Sequence, residues 1–204
     1  MARCAACGRW EATLTAIAAL QPGDVVTVPV GLPGTAEEDD PSALLLSFDG
    51  GARLRGPGAA MGGAALLWSA RFEDGRRMLL AEASAAIPWA TSATEAEAWG
   101  LRVGLGLIRQ AGSQAASRKL EVFGDNLAVV RFGAGTGRVR DPSVWALISA
   151  PLAQCLGVGW GVRWHAVRRR FNTAADAAAS KARDEASAMA SAGQTEATIR
   201  ARWC

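Results

Sequence analysis

From Leu44 onward the chain reads as three strand-like runs in succession and then as helices interleaved with two further strands. Leu44–Phe48 is a short apolar run, suited to a strand covered on both faces. Ala60–Ala70 and Arg76–Ile87 follow, joined by a turn at Glu73-Asp74-Gly75. A helix is expected over Thr94–Gln110, stopped by Gly112. Lys119–Phe123 reads as a fourth strand. A short helix after Asn126 reaches the loop Gly133-Ala134-Gly135-Thr136-Gly137, and Asp141-Pro142 opens another helix that runs to Leu156. Val158–Val167 is the fifth strand, and Asn172 caps a last helix that runs to Ala190. The pattern predicts an α/β domain with a five-stranded mixed sheet flanked by helices.

That domain is expected over residues 42–190, with a tail at 191–204. Residues 1–41 read differently. Trp10–Leu20 has the character of a short helix, Asp24–Val30 alternates like a strand, and Leu32–Pro41 is a Pro/Gly/acidic linker. The segment fits the remnant of an upstream domain. No apolar run approaches the roughly 18 residues of a membrane span, and no secretory signal is evident. Cys4-x-x-Cys7 has the spacing of half a zinc site, but no second pair follows it. The four cysteines make no disulfide framework, which points to a reducing, intracellular setting in nucleus or cytoplasm. A net charge of +3 does not by itself announce a nucleic-acid binder.

Four acids stand out by their settings. Asp49 follows the first apolar run and precedes a glycine-rich turn, Glu97 lies early in the first long helix, Asp125 ends the fourth strand, and Asp176 opens the last helix. Carboxylates gathered from strand ends and helix starts suit hard cations such as Mg²⁺. A pair of such ions roughly 3.5–4 Å apart can hold the attacking and leaving oxygens of an in-line displacement. Each acid also has a plainer reading. Asp49 suits a turn before Gly50-Gly51, Asp125 a helix N-cap, and Asp176 the first turn of a helix. Glu97 competes with Glu95. Counting +4, +7, +8 and +11 from Glu97 gives Leu101, Gly104, Leu105 and Ile108, an apolar stripe facing the sheet, whereas Glu95 heads a mixed face and reads as a solvated first-turn acid.

The ordered motifs resemble the ribonuclease H type 1 family, in its retroelement and plant-like branch. Asp49-Gly50-Gly51, Gly56-Pro57-Gly58 and Gly62-Gly63-Ala64 match its first two strands; Ala96-Glu97 with Gly100-Leu101 and Gly104-Leu105 match its helix motif. Gly124-Asp125-Asn126 matches the third motif. His165, Asn172 and Ala175-Asp176 match the fourth, with one extra residue between the His and the Asp. The resemblance spans residues 43–187. It implies a ribonuclease H-like fold and endonucleolytic cleavage of the RNA strand of RNA–DNA hybrids, leaving a 3′-hydroxyl and a 5′-phosphate. It also implies two Mg²⁺ ions, with Mn²⁺ as an alternative, held by Asp49, Glu97, Asp125 and Asp176. The histidine of the family lies on a mobile loop and assists proton transfer or product release, a role open to His165 beside a structural one.

Gly50, Gly51, Arg53, Arg55, Asn126, Asn172 and the run Arg168-Arg169-Arg170 are the expected nucleic-acid contacts, although such a run is often only a solvated face. The glycine stretch 50–63 lacks the Gly-Lys-Ser/Thr ending of a P-loop, and close approach of a nucleic-acid strand is its better use. Two departures stand against full activity. Ser92-Ala93-Thr94 replaces the Thr-Asn-Asn of the family, and between Asp125 and the fifth strand only Arg131, Arg138 and Arg140 replace a lysine-rich protrusion. The expected partners are a hybrid duplex and, in a longer polyprotein, a reverse transcriptase domain, with the chain itself a monomer. The alternatives are a catalytically decayed nucleic-acid-binding module and the same chemistry on another polynucleotide.

Overall fold

The computed structural model describes residues 25–27, 42–70, 76–112, 118–138 and 141–204. The expectations for Trp10–Leu20, Cys4 and Cys7, the linker at 32–41, the turn at 73–75 and Arg140 lie outside the described residues. All five expected strands are present: β2 (Leu44–Arg53), β3 (Ala60–Trp68), β4 (Arg76–Ile87), β5 (Lys119–Gly124) and β6 (Gly161–Ala166). Two more join them, β1 (Val25–Thr27) and β7 (Thr198–Trp203), so the sheet has seven strands where five were expected. The C-terminal segment read as a tail therefore includes an edge strand, paired antiparallel with β4 from Ala81↔Trp203 to Ala86↔Thr198. The sheet runs β4-β3-β2-β5-β6, with β1 and β7 both on the outer side of β4. β2, β5 and β6 are parallel, and the remaining pairs are antiparallel.

The helices are α1 (Ala93–Ala111), α2 (Leu127–Gly133), α3 (Pro142–Gly157) and α4 (Thr173–Ser191). Ser92 caps α1 by accepting from the Glu95 amide at 3.0 Å, and Asp141 caps α3 by accepting from the Ser143 amide at 2.9 Å. None of the described helices is long and apolar enough to cross a membrane.

The layers follow from alternation along β2. Leu44, Leu46 and Phe48 enter the main core with Leu101, Leu105 and Ile108 of α1 and Ile148 of α3, so the stripe counted from Glu97 faces the sheet as expected. Leu45 belongs to a second cluster with Leu66, Trp68, Leu79 and Phe123, against which Ala174 of α4 packs. β3 is buried at every position. Its small residues let two helix backbones come down on it. A Cβ on Gly62 would lie 2.2 Å from the Arg183 amide nitrogen of α4, and one on Gly63 would lie 2.3 Å from the Gly100 nitrogen of α1. β2 therefore does not turn at Gly50-Gly51 as expected but continues straight to Arg53, opposite Gly62-Gly63.

Candidate active site

The parallel pairing of β2 with β5 ends at Ser47↔Phe123. Asp49 and Asp125 each lie two residues beyond that last pair, so they face one another across the gap where the strands separate. The carboxyl ends of parallel strands are where open α/β sheets place ligands. Glu97 arrives from α1, which is held close by glycine: a Cβ on Gly50 would sit 2.1 Å from the Glu97 nitrogen, and one on Gly100 2.2 Å from the Asp49 carbonyl oxygen. Close approach to α1 thus requires glycine at position 50. Gly124 serves similarly, since its Cβ would strike the Phe48 ring at 2.4 Å.

One carboxylate oxygen from each of Asp49, Glu97 and Asp125 lies within 4.8 Å of the other two. Asp49 and Glu97 are buried, and Asp49 Oδ2, Glu97 Oε2 and Asp125 Oδ1 have no hydrogen-bond partner. Buried carboxylate oxygens without partners are costly unless something positive completes them. The electrostatics agree. Burial first, then the charges of Asp125 and Asp176, push the Asp49 carboxyl up to about 8. Burial, then Asp49 and Asp125, push Glu97 up to about 10, with Arg169 opposing. An all-oxygen set with surplus negative charge fits a hard divalent cation.

Asp176 stands beside this group and not within it. Its charge helps raise the Asp49 pKa, and its Oδ1 is held by Arg169, whose Nε donates at 3.0 Å. Arg169, in the 3₁₀ turn Arg169–Phe171, thus places a cation at the rim of the acidic group. Arg168 and Arg170 are exposed, and Arg170 lies 4.8 Å over the Phe171 ring. Arg53 and Arg55 are exposed at the end of β2 and in the turn after it, and the atoms nearest a Cβ on Gly51 belong to the Arg183 side chain and the Ala179 carbonyl of α4, at ordinary contact distance.

Four of the residues singled out in the sequence have their contacts set within the protein. His165 lies in β6, within the fifth expected strand; its ring stacks on Phe123 with centroids 4.6 Å apart, and Nε2 meets the buried Glu121 carboxylate. These contacts fit the structural reading of His165. Asn172 occupies the N-cap position of α4 but makes no side-chain cap. It is buried, and its Nδ2 donates to the Phe48 carbonyl at 2.7 Å, so it pins the residue before Asp49 to the start of α4 and is no nucleic-acid contact. Glu95 is not solvated. It is buried and accepts from Thr91 and, at 3.1 Å, from Ser143 Oγ, which ties α3 to α1. Asn126, also expected to touch nucleic acid, caps α2 by accepting from Ala128 and Val129. Nothing in sequence marks the roles of Glu121 and Glu95, whereas the spacing of Asn172 four residues before Asp176 is a usable signal.

The profile of the family described as reverse transcriptase-like matches residues 48–182, about two thirds of the chain. Among solved structures the chain is similar to the N-terminal RNase H domain of a Mycobacterium tuberculosis protein, solved as a fusion with maltose binding protein. The two are 28% identical with a TM-score of 0.60, over 72% of this chain and 98% of the other. It shares its fold with RNase H1 from the halophilic archaeon Halobacterium salinarum, at 23% identity and a TM-score of 0.56 over 70% of this chain and 98% of that one. It shares it too with LC11-RNase H1 in complex with RNA/DNA hybrid, at 24% identity and a TM-score of 0.54 over 70% and 98%. No curated protein matches the chain.

Proposed function

Because the chain belongs to the reverse transcriptase-like family of ribonuclease H-like domains, we propose that it hydrolyses the RNA strand of RNA–DNA hybrids endonucleolytically. The observation that carries this reading is the group of three carboxylates with orphaned oxygens at the separation of β2 and β5. A protein of the same fold has been solved with RNA/DNA hybrid, and that is the substrate class assigned here.

Asp49, Glu97 and Asp125 would hold divalent cations, with Asp176 as a fourth ligand once Arg169 releases it. Bound Mg²⁺ would supply Lewis-acid charge at the scissile phosphate. The protein's own residues do the rest. Asn172 and Gly100 fix the backbone on either side of Asp49. Arg169 balances the acids and, with exposed Arg168 and Arg170, offers guanidinium groups to phosphate oxygens at the rim. RNA would be told from DNA through its 2′-hydroxyls in the minor groove.

The test is incubation of the purified full chain with end-labelled RNA–DNA hybrid, duplex DNA and Mg²⁺. Cleavage confined to the RNA strand of the hybrid is expected, and Asp49→Asn or Asp125→Asn should lose it by several orders of magnitude while keeping the fold. Turnover surviving in either variant sinks the metal-site assignment, and equal cutting of duplex DNA sinks the substrate assignment. The engagement of Asp176 by Arg169, with the loss of the Thr-Asn-Asn side chains, favours a second reading, a binding module without turnover. Hybrid bound tightly but left uncut in Mg²⁺ and in Mn²⁺ would establish that reading instead.

A further inference from the structure

β7 (Thr198–Trp203) closes one side of the sheet, and its outer side has no partner strand among the described residues. Cys204 continues its ladder, donating its amide to the Leu80 carbonyl at 2.9 Å. Opposed residues in an antiparallel ladder alternate between bonded and non-bonded pairs. With Leu80 and Cys204 bonded and the register running Ala81↔Trp203 to Ala86↔Thr198, the bonded residues of β7 are Thr198, Arg200 and Arg202. Ile199, Ala201 and Trp203 therefore point their N–H and C=O groups outward. Their side chains share the α1 face of the sheet, where Trp203 Nε1 donates to Gln110 of α1 at 3.1 Å. Ile199 is 57% exposed and Trp203 47% exposed, unusually open for residues so apolar. Ile199 and Ala201 also line a cleft of about 370 Å³ between α1, α3 and the strand.

We propose that this edge receives a second copy of the same chain, β7 against β7 antiparallel about a two-fold axis at Ala201. The register follows from the outward groups. Centred on Ala201, three doubly bonded pairs form, Ile199 with Trp203 of the other copy, Ala201 with its equivalent, and Trp203 with Ile199. Each end of the strand pair then sets a β-branched side chain against an aromatic ring, a favourable cross-strand pair. Centring on Arg200 instead forms only two such pairs and opposes Arg200 to itself.

The charges on the other face permit the Ala201 register. It brings Arg200 near Arg202 of the other copy, but each is already ion-paired within its own chain, Arg200 with Glu185 and Arg202 with Glu82 at 2.9 Å. Exposed edge strands normally carry unpaired charge that repels a second strand. Here that defence is neutralised. The acidic groups stay open, since β3 and β4 stand between β2 and the new edge. Seven strand spacings separate one β2 from the other, about 34 Å before twist.

Light scattering on the full chain across a concentration series should give a mass approaching twice the 21.2 kDa of one chain. Ala201→Pro removes the donor at the axis without touching a bond to β4, which an edge strand tolerates. Ile199→Asp sets a charge against the partner's indole. Both variants should show the mass of one chain with the circular dichroism of the wild type and a single cooperative melting transition. If Ala201→Pro fails to fold, Ile199→Asp decides, because its side chain is exposed. A one-chain mass for the wild type at every concentration, or a two-chain mass retained by a folded variant, overturns the proposal.

Discussion

Two of the three clustered carboxyls, Asp49 and Glu97, are held by geometry in a protonation state that water would not give them. Asp49 is moved from its ordinary 3.8 to about 8. Glu97 is moved from its ordinary 4.5 to about 10. Both shifts are upward, so the folded chain binds protons that the unfolded chain has released. The stability tied to those protons is complete below about pH 4 and is lost as the pH rises through the folded values. Without metal, the protein should melt at a lower temperature near pH 9 than near pH 5, opposite to the trend of a carboxylate held by an ion pair. A divalent cation replaces the protons, so Mg²⁺ should raise the melting temperature much more at the alkaline end and should release protons on binding. Calorimetry at two pH values checks both. A Mg²⁺ effect independent of pH, or greater in acid, would falsify the coupling. Asp49→Asn should flatten the pH dependence along with the metal response.

At the scale of elements, glycines decide how close α1 comes to the sheet, and through it where Glu97 sits. Gly63→Ala puts a methyl 2.3 Å from the Gly100 nitrogen and 2.7 Å from the Trp99 carbonyl carbon, both backbone, so the helix must lift. Gly106 lies in the same helix with nothing within 4 Å of its Cβ position. Gly63→Ala should cost roughly 1–3 kcal/mol and weaken Mg²⁺ binding, whereas Gly106→Ala should stabilise by about 0.5–1 kcal/mol and leave the metal alone. Denaturant midpoints at constant slope, with Mg²⁺ titrations, measure both. Equal effects from the two would show that α1 does not rest on β3 as described. The same pair shows what sequence can carry. The succession of the five strands along the chain, the apolar stripe of α1 and the choice of Glu97 over Glu95 as the acid that joins the carboxylate group were legible, because they rest on periodicity and motif order. Gly63 and Gly106 look alike in sequence because the neighbour that separates them belongs to another element. Asn172 reads as a cap for the same reason, its true acceptor being the Phe48 carbonyl far away in the chain. β7 was missed because Thr198–Trp203 alternates like any polar tail until β4 offers it an edge.

Across the whole molecule a net charge of +3 leaves little long-range attraction for a polyanion, so affinity has to come from a few placed guanidinium groups. The structure divides the arginine run by role. Arg169 is committed to Asp176 at the acidic group, while Arg168 and Arg170 are exposed beside it. Each phosphate neutralised on a duplex contributes about 0.9 to the slope of log affinity against log salt. Arg168→Ala with Arg170→Ala should flatten that slope by roughly 1–2. It should raise the hybrid concentration needed for half-maximal rate more than it lowers the rate at saturation, because these contacts hold ground state and transition state alike. Arg169→Ala should act differently. It frees Asp176 and removes positive charge from the rim, so the metal requirement should change while the salt slope falls by less. Fluorescence anisotropy with an uncleaved hybrid, over a range of KCl and in the Asp49→Asn background, separates the two. An unchanged slope in the double variant would make Arg168 and Arg170 a merely solvated face and move the search for phosphate contacts to exposed Arg53 and Arg55.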